Sequence, residues 1–248
     1  MNVFITGASV GFGAAATRLF ASNGHRVIAT ARRLEKLQAL HDELGDKVLP
    51  FELDVTDEAG TQKAIASLKG DWAKIDLLIN NAGLALGMDP AQKSNLSDWQ
   101  TMVDTNIKGL LTCTHAILPG MVARNAGHII NLGSVAGEFP YPNGNVYGAS
   151  KAFVHQFSLN LRADLLGTKV RVTCIEPGMC SGTEFSDVRF KGDSEKATAV
   201  YKGVQALSPE DIAETIYWIA TRPAHVNINV ISMMPVQQAF SPFAIDRK

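Results

Sequence analysis

Short unbroken apolar runs alternate along this chain with longer stretches in which apolar residues recur every three or four positions. The short runs predict strands at 3–6, 26–30, 47–53, 75–79, 128–131, 169–176 and 225–231. Being apolar on both faces, they read as buried parallel strands. The longer stretches predict helices, clearest at 14–22, 98–124, 147–166 and 208–220. Ser208, followed by Pro209 and two acids, marks the start of the last of these. Strand and helix take turns through short connections, and the sequence shows no internal repeat and no linker. The pattern predicts an α/β fold: one doubly wound, parallel, seven-stranded sheet with helices on both faces, as a single domain over 1–248. The long connection at 179–203 is different. It follows a strand stopped by Pro177 and Gly178 and is polar, with Gly, Ser and charges, so it predicts a lid over a binding site.

The first strand runs directly into Gly7-Ala-Ser-Val-Gly11-Phe12-Gly13 and then into a helix. That is the context in which a glycine turn holds a dinucleotide. Gly7 permits the turn, Gly11 lets backbone approach a pyrophosphate, and Gly13 lets the helix pack close to the sheet. The free N–H groups of the helix start then face the phosphates. The second strand ends in Ala31-Arg32-Arg33, where a carboxylate would be needed for the ribose of NAD. Guanidinium forks suit a 2′-phosphate instead, so the predicted cofactor is NADP, with the Ser9 hydroxyl as a further contact. The third strand ends in Asp54-Val55; Asp54 either faces the adenine amino group or caps a helix starting at Thr56. The fourth ends in Asn80-Asn81-Ala82-Gly83, whose paired asparagines either tie neighbouring loops together or touch the ligand.

The richest chemistry lies at 131–151. Ser134 closes the fifth strand, and Tyr147 and Lys151 are four apart at the start of a helix, so they share one face. A phenol, an ammonium one turn away and a hydroxyl at a strand end make a proton-transfer site for a carbonyl or alcohol. Taken singly, each of the three is an ordinary residue; it is their joint spacing that points to catalysis. Asn106 sits in the middle of the 98–124 helix, a poor place for Asn, as either a polar core residue or part of that site.

Composition narrows the partners. A net charge of −1 and the lack of any Lys/Arg stripe exclude a nucleic-acid field, and a small molecule is the expected partner. No apolar run reaches membrane-spanning length, so no membrane association is expected. Three cysteines with no metal-ligand spacing read as reduced thiols in the cytoplasm, and no metal is expected. The first strand is predicted to start within the first few residues, so no leader is expected.

With these residues in hand, the chain resembles the short-chain dehydrogenases/reductases over essentially its whole length. Thr6-Gly-Ala-Ser-Val-Gly-Phe-Gly13, Asn80-Asn-Ala-Gly83, Asn106, Ser134, Tyr147-Gly-Ala-Ser-Lys151 and Pro177-Gly178 occur in that family's order and spacing. Segments 81–88, 143–148, 182–192 and 223–229 are similar to the bacterial NADP-dependent 3-hydroxy acid (serine or L-allo-threonine) dehydrogenase branch. The resemblance implies a Rossmann fold, hydride transfer at nicotinamide, and a homotetramer formed through the 98–124 and 147–166 helices. It implies that Tyr147 moves the proton, Lys151 favours the phenolate and holds the nicotinamide ribose, Ser134 orients the substrate oxygen, and Asn106 anchors a water. The implied cofactor contacts are Gly7, Ser9, Gly11, Phe12, Gly13, Arg32, Arg33, Asp54, Val55, Asn80, Ala82, Gly83, Tyr147, Lys151, Pro177, Gly178 and Thr183. Two departures stand out: Phe12 replaces an Ile or Leu, and Thr183 lies further from Gly178 than usual.

A 3-hydroxy acid needs a cation for its carboxylate. Arg189 and Lys191 are the candidates, and Arg189 is preferred because its fork binds a carboxylate at two points. Ser134 and Tyr147 complete the expected substrate contacts, and Leu84, Met88, Glu138, Phe139 and Met179 are expected to line the pocket. The predicted reaction interconverts small 3-hydroxy acids (serine, allo-threonine, 3-hydroxypropionate) with 3-oxo acids or semialdehydes. A sulfoacetaldehyde reductase forming isethionate is the alternative enzyme. A catalytically retired NADP-binding sensor is the alternative of another class.

Overall fold

Seven strands form one parallel sheet: β1 (Asn2–Thr6), β2 (Arg26–Ala31), β3 (Val48–Glu52), β4 (Leu77–Asn80), β5 (Gly127–Leu132), β6 (Val170–Pro177) and β7 (Val230–Met233). Their order is β3-β2-β1-β4-β5-β6-β7, as the doubly wound reading requires. The structure is a computed structural model that describes residues 1–240; the end of the expected 1–248 domain, 241–248, lies outside the described residues.

Alternation along each strand divides the core between two layers. Val3, Ile5, Val27, Ala29, Leu77, Ile79, Ile130 and Leu132 point to one face of the sheet. There they meet α1 (Gly11–Ser22), α2 (Leu34–Leu44) and α9 (Pro209–Ala220). Phe4, Ile28, Leu78, Ile129 and Val172 point to the other. That face is covered by α3 (Glu58–Ser67), α5 (Leu110–Ala123) and α6 (Asn145–Asp164). Burial on both faces is why the strands read as continuous apolar runs. The start of α9 follows its sequence signal: Ser208 accepts from the Asp211 N–H at 3.1 Å, and the Asp211 side chain accepts from the Ser208 N–H at 2.7 Å.

Three elements depart from the sequence reading. The 98–124 helix is α4 (Leu96–Val103), a π-helical stretch (Asp104–Gly109) and α5, and Asn106 lies in the π stretch. The last strand begins at Val230 rather than near 225, because Asn227 substitutes for ladder bonds: its side chain accepts from the Val172 N–H at 2.8 Å and donates to the Val172 carbonyl at 2.9 Å. The 179–203 segment contains two short helices, α7 (Phe185–Arg189) and α8 (Ser194–Ala199).

Candidate active site

A cavity of about 630 Å³ opens at the carboxyl ends of the strands. Its wall includes Gly7, Ser9, Gly11, Phe12, Arg32, Arg33, Asp54, Val55, Ala82, Gly83, Ser134, Tyr147, Lys151, Pro177, Gly178, Thr183 and Arg189. Residues scattered over most of the chain therefore meet in one place, as the sequence predicts. Gly13, Asn80 and Asn106 support the wall from behind instead of lining it. Gly13 packs α1 against Ala8 and the Asn81 amide, where a Cβ would have no room. The Asn80 side chain is buried; it donates to Thr114 Oγ1 at 3.0 Å and to Asn131 Oδ1 at 2.9 Å, tying β4 to α5 and β5. Asn81 does the corresponding work at the first turn, donating to the Thr6 and Gly7 carbonyls, while Thr6 Oγ1 accepts from the Asn81 and Ala82 N–H groups. Both asparagines tie neighbouring segments together, and Asn81 also lines the cavity. Asp54 caps no helix: Asp57 caps α3, while Asp54 accepts from Thr56 N–H and Oγ1 and stays in the cavity wall.

Ser134, Tyr147 and Lys151 are placed by a turn pressed onto a helix. The turn Val135–Gly137 follows Ser134, and Gly137 lies so close to α6 that a Cβ would stand 2.6 Å from the Lys151 carbonyl carbon. This contact sets Ser134 beside Tyr147 and Lys151. Ser134 Oγ accepts from the Ala136 N–H at 3.1 Å and donates to the Pro177 carbonyl at 3.4 Å. Lys151 Nζ donates to the Leu132 carbonyl at 2.7 Å and lies 6.0 Å from the Tyr147 ring centre. Asn106 accepts from the Leu84 N–H at 2.8 Å and donates to the Leu84 carbonyl at 2.8 Å and to Ser150 Oγ at 3.0 Å. It thus fastens the loop after β4 to α6 one residue before Lys151. A π stretch adds a residue to the turn and re-aims the side chains within it, so Asn106 faces inward from an otherwise continuous helix.

Burial dominates the electrostatics. It pushes the Tyr147 phenol up to about 12, with hydrogen bonding from Ser134 and the charge of Arg189 opposing the rise. It brings the Lys151 ammonium down to about 8.

Arg189 ends α7, in the 179–203 segment. Its guanidinium carbon lies 5.7 Å from the Tyr147 ring centre and 5.6 Å from that of Tyr141. It donates to the Tyr141 hydroxyl at 2.8 Å and to the Gly87 carbonyl at 3.3 Å. Lys191, the other candidate cation, is paired with Asp98 at 2.8 Å and is not in the cavity wall. Leu84, Met88, Phe139 and Met179 line the cavity as expected, whereas Glu138 is exposed outside it. Phe139 and Glu138 are neighbours in a turn, so only one of them faces inward. Sequence reasoning missed Tyr141, Phe185 and Glu184. Tyr141 lies inside the 131–151 stretch and Phe185 packs edge-on against Tyr147 at 5.6 Å between ring centres. Glu184 binds Arg33 and Lys36 from 151 and 148 residues away, and no local pattern signals such a pairing.

The residues fit a dinucleotide. Val10, the N-cap of α1, offers no side-chain cap, so the first-turn N–H groups remain for an anion. Gly11 has φ +54°, and a Cβ there would stand 3.0 Å from the Thr183 methyl. The left-handed backbone and the adjacent Thr183 methyl both require glycine at this position.

A doubly wound sheet whose strand ends gather a serine, a tyrosine and a lysine around such a cavity defines a nicotinamide-dependent oxidoreductase fold. The chain matches the family model described as short chain dehydrogenase over residues 1–193, and it belongs to that family. It is 61% identical over 247 residues to the NADP-dependent 3-hydroxy acid dehydrogenase YdfG of Salmonella typhi, with each chain covered in full. It is 52% identical to the serine 3-dehydrogenase of Agrobacterium fabrum, covering 100% of this chain and 98% of that one. Among solved structures, the closed form of a serine dehydrogenase complexed with NADP+ is 58% identical with a TM-score of 0.99 over the whole of both chains. The serine dehydrogenase from Escherichia coli is 55% identical with a TM-score of 0.87, covering 97% of this chain and 100% of that one.

Proposed function

We propose that this protein is an NADP(H)-dependent oxidoreductase that interconverts small 3-hydroxy acids with the matching 3-oxo acids or semialdehydes, substrates of the serine, allo-threonine and 3-hydroxypropionate kind. The observation that carries the reading is the Tyr147–Arg189 juxtaposition: a proton donor and a guanidinium 5.7 Å from its ring share one cavity. A substrate that carries an anion close to its reacting carbon engages both groups. The relatives named above support the same activity.

The chain's own residues divide the work. Tyr147 gives its proton to the carbonyl oxygen in reduction and takes it back in oxidation. Ser134 holds that oxygen through its hydroxyl. Lys151, fixed by the Leu132 carbonyl, holds the ribose hydroxyls next to the nicotinamide and, as the ammonium, favours the phenolate of Tyr147. Asn106 holds Leu84 and Ser150 in place and, as the family pattern implies, a water that connects Lys151 to solvent. Gly7, Gly11 and the first turn of α1 receive the pyrophosphate, and Arg32 stands at the adenosine end of the cavity. The bound nicotinamide supplies or accepts the hydride. Arg189 binds the substrate carboxylate.

We read the chain as one catalytic domain with 179–203 as its lid, working in the cytoplasm as a homotetramer. Cys113, Cys174 and Cys180 are free thiols, and no helix among the described residues is long and apolar enough to cross a membrane. The test compares kcat/KM for malonic semialdehyde and sulfoacetaldehyde with NADPH, in the wild type and in Arg189→Ala. We expect a preference for malonic semialdehyde, and a loss of at least about tenfold in Arg189→Ala, in line with a charge-assisted hydrogen bond. A preference for sulfoacetaldehyde would move the enzyme to sulfonates. No turnover of either compound, with NADPH still bound, would favour the sensor.

A further inference from the structure

Two arginines follow β2, and their surroundings differ. The Arg33 guanidinium is closed off by the lid: Nη2 donates to Glu184 Oε2 at 2.7 Å and Nη1 to Glu184 Oε1 at 3.2 Å. Nη2 also donates to Ser9 Oγ at 3.2 Å. Lys36 Nζ donates to Glu184 Oε1 at 2.7 Å, so one carboxylate holds two cations. Arg32 lines the same cavity, is exposed, and has no hydrogen-bond or ion-pair partner among the described residues.

The residue before Glu184 completes the geometry. Thr183 rests its methyl against Gly11, in the turn that receives the pyrophosphate. The lid therefore crosses the glycine turn at Thr183 and lands on α2 and the end of β2 at Glu184. Arg32, Gly11, Thr183, Glu184 and Tyr147 all line one cavity, so a dinucleotide held there lies against this crossing. A 2′-phosphate brought to Arg33 meets a fork whose two terminal nitrogens already serve a carboxylate, with a like charge beside it. At Arg32 it meets a free fork.

We propose that the two arginines have separate jobs: Arg32 reads the 2′-phosphate, while Arg33, with Lys36, is the anchor of a latch that Glu184 closes over the bound cofactor. This rests on the NADP reading above. The latch acts on how long a cofactor stays, whichever cofactor it is. Arg32 acts on which cofactor is chosen.

The test measures dissociation rates of NADPH and NADH by stopped-flow fluorescence, with excess oxidised cofactor as competitor, together with the affinity of each. Variants are Arg32→Ala, Arg33→Ala and Glu184→Gln, all on the surface side of the cavity. Glu184→Gln and Arg33→Ala should speed release of both cofactors about two- to fivefold, the scale of partly exposed ion pairs, and leave the NADPH/NADH affinity ratio within about twofold. Arg32→Ala should lower that ratio at least about tenfold and leave NADH release unchanged. The proposal is overturned if Arg33→Ala collapses the ratio, or if Glu184→Gln leaves release unchanged or slows it. Equal affinity of the wild type for the two cofactors would instead refute the NADP reading, and the NADH release rates of Glu184→Gln would still decide the latch.

Discussion

The surroundings of Tyr147 favour its protonated phenol. Burial holds its phenol near 12, so through the neutral range it carries the proton a carbonyl needs. Lys151, brought to about 8 by the same burial, stays an ammonium below that pH. The sign of the pH dependence follows. With Tyr147 in the proposed role, reduction draws on the protonated phenol and should be flat from about pH 6 to 8, whereas oxidation draws on the phenolate, whose fraction grows about tenfold per unit in that window. With NADP+ saturating, kcat/KM for serine oxidation should therefore climb with a slope near one. A flat oxidation profile would mean that another group takes the proton. Tyr147 and Lys151 were legible as a pair in the sequence because a helix turns i and i+4 to one face, and that geometry is local; Ser134 was legible only as a hydroxyl at a strand end. Arg189 was preferred to Lys191 there only for its fork; what holds the two apart in the structure is Asp98 on one side and Tyr141 on the other, both far along the chain.

At the scale of elements, the site depends on how the turn after β5 sits on α6. Gly137 has its neighbours' backbone where a Cβ would go. Gly137→Ala must push the turn away from Lys151, at a cost of about 1–3 kcal/mol for overpacking. The expected result is a lower melting temperature together with a kcat that falls more than KM rises, because Ser134 moves with the turn. Unchanged kcat in a folded variant would show that the turn does not set the serine. The π stretch at Asp104–Gly109 is the element the sequence hid. Its apolar spacing passes for a continuous helix, and the extra residue in its turn is selected by what Asn106 can reach, namely Leu84 and Ser150. The late start of β7 was hidden for a similar reason: Asn227 borrows the backbone of β6 with its side chain.

For the whole molecule, assembly is the open quantity. Phe153 and Phe157 on α6 stack at 5.7 Å with their planes 8° apart and remain half-buried. An apolar pair left partly open on a helix suits a second copy of the chain. Sedimentation should give a particle of four times 26.7 kDa, and Phe153→Asp should yield a smaller one. A monomeric wild type would refute the tetramer. The amino-acid sequence by itself determined the order of strands and helices, the glycine turn and the catalytic spacing, because each rests on a period of two to four residues or on a single backbone conformation. The tertiary structure alone decided that Asn80 braces while Arg189 faces the cavity, and that Arg33 turns to Glu184 while Arg32 stays open. Those outcomes depend on partners brought together from distant parts of the chain, and only the packing of the sheet and lid specifies which charge meets which.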